Sequence, residues 1–216
     1  MVHASLFVFS NINIVLSIFF HLPKASKPRQ EPNSFVRDFS RILSEPALAD
    51  VTFTFSREPN KQVTAHRNIL FARCPHMRSL LIEKPTSSFQ SQETAYFVEI
   101  DAFSSEVFQH FLRIIYTGTT NKLEEFPIST LFQLVRISLH FKLPGFASLC
   151  EDWIEKQLEL KKAIPIYSQS LLTSPRLQKA SLFLIIKNFP SLKEELHRTL
   201  SKEEYQFIKQ IYKEVI

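Results

Sequence analysis

Apolar and polar residues alternate with helical and strand-like periods over most of the chain. Apolar residues at helical spacing lie between residues 35 and 43 and stop before Pro46, which predicts a first helix. Strict alternation predicts strands at 51–55 and 96–100, and a short strand at 62–65 forms a hairpin with the first of these. The first half of the chain therefore contains a small sheet.

Helical patterns occupy most of the remaining chain. Pro175 directly after Ser174 is typical of a helix start, and Ser191 and Ser201, each followed three residues later by glutamate, are predicted as capping boxes. The predicted helices are 67–73, 75–82, 107–117, 131–139, 146–158, 175–187 and 202–215. A sheet interleaved with helices, followed by helices alone, indicates an α+β domain with an all-α extension.

The first 33 residues differ in character from the rest. Residues 5–22 are strongly apolar and carry no charge, which is near the minimum length for a membrane span, although Asn11 and Asn13 interrupt them. If the segment inserts, the basic residues that follow would keep the rest of the chain cytosolic. Alternatively the segment is peripheral, or it is not part of the functional protein. Residues 23–33 are rich in proline and polar residues and are predicted as a linker.

Composition argues against a nucleotide-binding enzyme. The chain has two glycines, Gly118 and Gly145, so it lacks the clustered glycines of phosphate-binding loops. Cys74 and Cys150 are too far apart for a metal knuckle or a redox pair, and the histidines show no metal-binding spacing. The sequence therefore predicts no catalytic, cofactor or metal residues.

Charge adds little to this picture. Lysine and arginine exceed aspartate and glutamate by 26 − 21 = 5, and the excess is scattered apart from a short run at residues 24–29. A scattered excess indicates a solvated surface, so a nucleic-acid partner is not expected.

Several short blocks occur in one order and together resemble the BTB/POZ domain family. They are Leu48-Ala49-Asp50-Val51, Ala65-His66-Arg67 with Leu70, Ala72-Arg73-Cys74-Pro75, Val98-Glu99-Ile100-Asp101, Val107-Phe108, Ile115-Tyr116-Thr117-Gly118, Leu143-Pro144 and Leu149-Cys150-Glu151. The resemblance covers residues 34–216, because the later helices are similar to the first part of a BACK-type extension. It implies a BTB/POZ domain at 34–150, a partial BACK-like region at 151–216, and the apolar segment with its linker at 1–33.

The resemblance also implies that the protein is an interaction module and not an enzyme. In the family, the helix before the first core strand packs across a homodimer interface, which here would involve Phe35, Phe39, Ile42 and Leu43. The alternative is that this apolar stripe packs within its own domain. Asp50 and Arg67 match the charged-pocket positions of the family, and a purely structural role is the alternative for both.

Many family members with a BACK-type extension bind the N-terminal domain of cullin-3 and present substrate proteins for ubiquitin transfer. Their cullin motif, a hydrophobic residue, any residue and glutamate, lies in the loop before the third strand. Here Phe89-Gln90-Ser91 matches by position but has serine where the acid belongs, whereas Leu81-Ile82-Glu83 fits the letters but lies early. The expected cullin contacts are Phe89, Leu131, Leu134 and Leu139.

The leading hypothesis is therefore a homodimeric adaptor that brings an unidentified substrate protein to cullin-3. The alternatives are an oligomerising scaffold without cullin binding and an adaptor tethered to a membrane by residues 5–22. The expected location is the cytoplasm or the nucleus, or a membrane surface if that segment anchors the chain.

Overall fold

Helices dominate the structure, with a small sheet near its start. The computed structural model describes residues 33–83, 96–119 and 123–215, so the apolar segment 5–22 lies outside the described residues. In chain order the elements are α1 (Asn33–Ser44), β1 (Val51–Phe55), β2 (Gln62–Ala65), α2 (Arg67–Arg73), α3 (Pro75–Glu83), β3 (Tyr96–Ile100), α4 (Ser105–Thr117), α5 (Ile128–His140), α6 (Pro144–Lys156), α7 (Leu160–Ser170), α8 (Pro175–Lys187), α9 (Phe189–Thr199) and α10 (Lys202–Val215). The α+β prediction is confirmed.

The three strands form one sheet in the order β2-β1-β3. The predicted hairpin is confirmed, since β1 pairs antiparallel with β2 and places Phe53 opposite Val63. On its other side β1 pairs parallel with β3, with Phe53 opposite Val98. Parallel strands need a crossover connection, and α2 and α3 lie in the segment that connects β2 to β3.

One face of β1 supplies the centre of the first hydrophobic core. Val51, Phe53 and Phe55 are buried, as their alternation with threonine predicts. The ring of Phe108 on α4 lies 4.6 Å from that of Phe53 and 5.6 Å from that of Phe55, measured between centroids. The sheet is thus covered on this face by α4.

Helix α4 is held at both ends by polar contacts. At its start the Ser104 hydroxyl accepts a hydrogen bond from the N–H of Val107, and Glu58 from the β1–β2 turn accepts one from the N–H of Ser105. At its end Gly118 adopts a φ of +66° and donates its N–H to the carbonyl of Ile114 at 2.8 Å. This left-handed residue ends the helix in the way that favours glycine.

The later helices form a second core. It contains Ile185, Leu196, Tyr205 and Ile208 of helices α8 to α10, together with residues of α7. The first core also continues beyond residue 150, because Ile154, Ile166 and Leu177 are buried in it. All the described residues belong to one compact unit, 31–216.

Two of the three predicted helix starts in this region are confirmed. The Ser174 hydroxyl accepts from the N–H of Leu177, and Ser201 and Glu204 cap each other's backbone N–H groups reciprocally. The capping box at Ser191 is wrong. Helix α9 begins at Phe189, so Ser191 lies inside its first turn and donates its hydroxyl to the carbonyl of Asn188.

Helix α7 is a finding that the apolar pattern does not predict. It contains Pro165, which removes one backbone donor and normally argues against a helix interior. Pro165 lies on the exposed side, while Ala163, Ile164, Ile166 and Tyr167 are buried. Burial of one apolar face therefore outweighs the local cost of the proline.

Candidate functional site

The apolar stripe of α1 lies partly against its own domain. Phe39, Ile42 and Leu43 pack on the first core, and the ring centroid of Phe35 lies 4.3 Å from that of Phe39. All four side chains are half-buried in the single chain, so each keeps a part that a second copy could cover. Their role as a dimer interface stays a prediction.

The structure brings the predicted charged pair together. Asp50 Oδ1 accepts a hydrogen bond from the backbone N–H of Arg67 at 2.7 Å, and Asp50 Oδ2 lies 3.4 Å from Arg67 Nε. Asp50 precedes β1 and Arg67 begins α2, so the carboxylate also caps the start of that helix. Both side chains are about one-third exposed, which leaves them accessible to a partner.

A third member of this cluster, Tyr96, is missing from the sequence prediction. Its hydroxyl accepts a hydrogen bond from Arg67 Nη1 at 2.7 Å, and the guanidinium carbon lies 4.9 Å from the centre of its ring. The parallel register places Tyr96 opposite Val51, directly beside Asp50. Only the pairing of β1 with β3, which the alternation pattern does not specify, could have indicated this contact.

His66 sits next to the charged pair and contacts Tyr116. The backbone N–H of His66 donates to the Tyr116 hydroxyl at 2.7 Å, and the ring Nδ1 lies 2.9 Å from the same oxygen. Burial lowers the pKa of His66, with Asp50 opposing the shift, and burial raises the pKa of Tyr116 to about 12. The geometry suits a structural bond between α2 and α4.

The predicted cullin contacts on α5 need a correction. Leu131 and Leu134 are fully buried in the first core, so their side chains cannot touch a partner protein while the domain stays folded. Leu139 is 44% exposed near the end of α5 and remains a candidate. Phe89 lies outside the described residues.

A groove beside Leu139 is the second feature absent from the sequence prediction. It encloses about 190 Å³ between the end of α3, β3 and the end of α5, and we call it the β3 groove. Its lining residues are Leu80, Phe97, Val98, Glu99, Ile100, Asp101, Ala102, Phe103, His140 and Phe141. Large apolar side chains are also exposed at this end of the domain, Ile82 at 58% and Phe97 at 53%.

The wall of the β3 groove is aromatic. The ring of His140 lies 5.5 Å from that of Phe103 and 4.9 Å from that of Phe141, both edge to face. Two carboxylates, Glu99 and Asp101, line the same groove. An apolar floor with a few charged groups at its edge suits a protein side chain better than a metabolite.

A sequence profile of the BTB/POZ domain matches residues 39–158, which is more than half of the chain. The chain belongs to the BTB/POZ domain family. BTB domains generally bind partner proteins and form dimers, and the family consists in general of non-enzymatic interaction modules. The charged pair, the α1 stripe and the α5 end of the β3 groove all lie within or at the edge of the matched residues.

Curated relatives of this BTB protein are much longer than the chain itself. An ankyrin repeat, bromo and BTB domain-containing protein of Dictyostelium discoideum is 29% identical over 53% of the chain and 14% of its own length. Structure-specific endonuclease subunit SLX4 of Mus musculus is 32% identical over 54% of the chain and 7% of its own length. Protein maternal effect lethal 26 of Caenorhabditis elegans is 22% identical over 76% of the chain and 39% of its own length.

Among solved structures, the BTB domain of human gigaxonin aligns with 61% of this chain and 99% of that domain. The identity is 19% and the TM-score is 0.43. The BTB domain of zebrafish PATZ1 aligns over the same shares at 14% identity and the same TM-score.

The described part of the BTB protein has neither a metal cluster nor an activated thiol. No group of three or more histidine, cysteine, aspartate or glutamate side chains there could hold a metal ion. Cys150 is fully buried, and burial, reinforced by Glu151, raises the pKa of its thiol to about 12, which disfavours the reactive thiolate. Among the described helices none is both long and apolar enough to cross a bilayer.

Proposed function

We propose that this BTB protein is a homodimeric adaptor that binds the N-terminal domain of cullin-3 and brings a substrate protein to the ligase. The coarser part, a protein-interaction role, follows from the BTB family. The finer part rests on one observation, the β3 groove with its exposed apolar rim.

Three exposed apolar side chains support this assignment. Ile82 near the end of α3, Phe97 on β3 and Leu139 on α5 are each more than 40% exposed, and Phe97 itself lines the groove. Leu80 and His140 line the β3 groove. Ile82 lies two residues after Leu80, and Leu139 directly precedes His140, so both lie beside the groove. An apolar rim around a concave floor is the arrangement in which interface anchors stabilise a complex most.

The motif residues before β3 support the competing hypothesis. In Phe89-Gln90-Ser91 a serine stands where the resemblance implies an acid. The Glu99 and Asp101 carboxylates in the groove are a different source of negative charge for a basic partner side chain. If they do not replace the missing acid, the protein is an oligomerising scaffold without cullin binding.

Calorimetric titration of the full chain with the cullin-3 N-terminal domain tests the proposal. We expect a dissociation constant near or below about 1 μM. Leu139→Glu and Ile82→Glu should each weaken binding at least about tenfold, because they place a charge on the apolar rim. The matched control is Leu172→Glu, since Leu172 is 99% exposed in the turn between α7 and α8.

Two results would contradict the proposal in different ways. Absence of binding by a chain that is folded and dimeric would favour the scaffold hypothesis. Tight binding that neither rim variant weakens would keep the adaptor role but move the cullin contact away from the β3 groove.

A further inference from the structure

A row of apolar side chains on α10 faces solvent. The helix buries Tyr205 and Ile208 in the second core, and the ring centroid of Tyr212 lies 4.6 Å from that of Phe189. Ile211 also packs on the second core, so α10 is attached along this side. Phe207 and Val215 are nevertheless each 51% exposed.

The exposed residues share one side of the helix. Phe207, Ile211 and Val215 are spaced four apart, so at about 100° per residue they form one continuous row. Ile211, in the middle, is half-buried because it packs on the second core, so only part of its side chain is open to a partner. We call these three residues the apolar row. A connected row of this kind differs from single surface hydrophobic residues, which are normal and need no explanation.

The charged residues of α10 are sorted by sign around the helix. Glu203 and Glu214, with the neutral Gln210 between them, form an acidic edge about 80° from the middle of the apolar row on its solvent side. The basic residues Lys202, Lys209 and Lys213 lie farther round, between the acidic edge and the buried side. The apolar row is therefore bordered by Glu203 and Glu214 on its solvent side and by the second core on its other side.

Helix stability explains Glu203 of this acidic edge but not Glu214. An acid in the first turn, such as Glu203, is favoured by the helix dipole, but an acid in the last turn, such as Glu214, is disfavoured. Glu214 accepts a hydrogen bond from Gln210 Nε2 at 2.9 Å. Within residues 33–83, 96–119 and 123–215, neither glutamate has a lysine or arginine within ion-pair distance.

We propose that the apolar row and the acidic edge together bind an amphipathic helix of a partner protein whose apolar stripe is bordered by lysine or arginine. Charge complementarity selects this occupant. A second copy of α10 docked antiparallel on the same row would set Glu203 of one chain against Glu214 of the other, and like charges oppose that pairing. The site is separate from the β3 groove and does not depend on cullin binding.

Selection from a peptide library against the immobilised full chain tests the site. Each displayed peptide spans about five helical turns, with leucine at a fixed i, i+3, i+4, i+7 spacing and border positions drawn from lysine, glutamate and glutamine. We expect the selected peptides to be enriched in lysine at the border. Their affinity should fall at least about tenfold for Phe207→Ser and for the double variant Glu203→Lys, Glu214→Lys.

The matched control is the double variant Lys202→Glu, Lys213→Glu. It changes the net charge by the same amount in the opposite direction, away from the row, and should not lower the affinity by more than about twofold. All substituted side chains are exposed, so circular dichroism should show an unchanged helix content. The proposal is overturned if no selected peptide depends on Phe207, or if the border shows no preference for lysine. It is also overturned if light scattering shows that the chain associates with itself through this row and that Phe207→Ser abolishes the association.

Discussion

The backbone N–H of His66 donates a hydrogen bond to the hydroxyl of Tyr116 over 2.7 Å, although 50 positions separate the two residues. The ring Nδ1 of His66 lies 2.9 Å from the same hydroxyl. Since the oxygen already accepts the backbone bond, its own proton is free to point at Nδ1. That arrangement requires Nδ1 to be unprotonated, so the folded domain favours a neutral His66.

Removal of the Tyr116 hydroxyl should destabilise the domain. Tyr116→Phe leaves the N–H of His66 without its partner in a partly buried place, which we expect to cost about 1–3 kcal/mol. Urea unfolding of both proteins measures this loss as a lower midpoint with an unchanged slope. The control is Tyr212→Phe, because the Tyr212 hydroxyl makes no hydrogen bond in the described part of the chain. Equal losses in the two variants would contradict the assigned bond.

Stability should fall as the solution becomes mildly acidic. Burial lowers the pKa of both His66 and His110. Asp50 opposes the shift of His66. Glu106 opposes the shift of His110, and Arg113 adds to it. Histidines in the unfolded chain have a pKa of about 6.5, so just below that pH the unfolded chain binds more protons than the folded one. The folded domain therefore keeps its full stability above about pH 6.5 and loses part of it below that pH. Urea midpoints between about pH 7 and pH 5 should decrease, and less so when both histidines are glutamine. A urea midpoint that rises toward about pH 5 would contradict the lowered pKa of the two histidines in the folded domain.

The part of the fold that the sequence predicted well is the part that local chemistry determines. Alternation at Val51, Phe53 and Phe55 requires a strand with one buried face, and the reciprocal bonds of Ser201 and Glu204 define a helix start. Each signal involves residues only a few positions apart in the chain, so no distant contact is needed to interpret it.

The errors have tertiary causes. Pro165 hid helix α7, because proline opposes a helix locally and only the burial of neighbouring residues in the folded chain offsets it. Pro190 suits the first turn of α9, so that helix starts early and encloses Ser191, which was expected to cap it.

The candidate site shows the same limit. The residue blocks placed Asp50 near Arg67, but Tyr96 joins them only through the parallel register of β1 and β3. Leu131 and Leu134 were assigned to a partner from the family resemblance, but their helical apolar spacing equally predicts burial, and the fold buries them. Sequence periodicity identifies an apolar face without saying what covers it.

Gly118 should not tolerate a side chain. Its φ of +66° is strained for other residues, and a Cβ there would lie 2.6 Å from Arg73 Nη2. The same arginine donates Nε to the carbonyl of Ile115 at 2.9 Å, so moving it aside also weakens the end of α4. Gly118→Ala should lower the free energy of unfolding by about 1–2 kcal/mol, measured by urea unfolding.

Gly145 offers a matched comparison for that prediction. It lies in the first turn of α6, and a Cβ there would meet nothing within 4 Å. Gly145→Ala should therefore stabilise the protein slightly, by about 0.4–1 kcal/mol, because alanine restricts the unfolded chain. If both alanine variants shift the midpoint in the same direction, the account of Gly118 as a special position fails.

The proposed homodimer depends on the α1 stripe, and Phe35 is its most informative member. Phe39, Ile42 and Leu43 also pack on the core of their own domain, so charged substitutions there could unfold α1. Phe35 is half-buried and its ring contacts that of Phe39 at a tilt, so Phe35→Asp should leave the fold intact and disfavour only a contact with a second copy. Light scattering should then give the mass of a single chain, 25.2 kDa, where the unchanged protein gives twice that value.

The control for this test is Arg37→Asp, which introduces the same acid on the exposed side of α1, away from the stripe. It should leave the dimer mass unchanged, because a charge in solvent costs little. A charge placed against an aromatic ring inside the interface would instead cost about 2 kcal/mol or more of interface stability. A dimer that survives Phe35→Asp would assign the stripe to its own domain, where Phe39, Ile42 and Leu43 already have partners. The contact between copies would then have to involve another surface of the BTB domain.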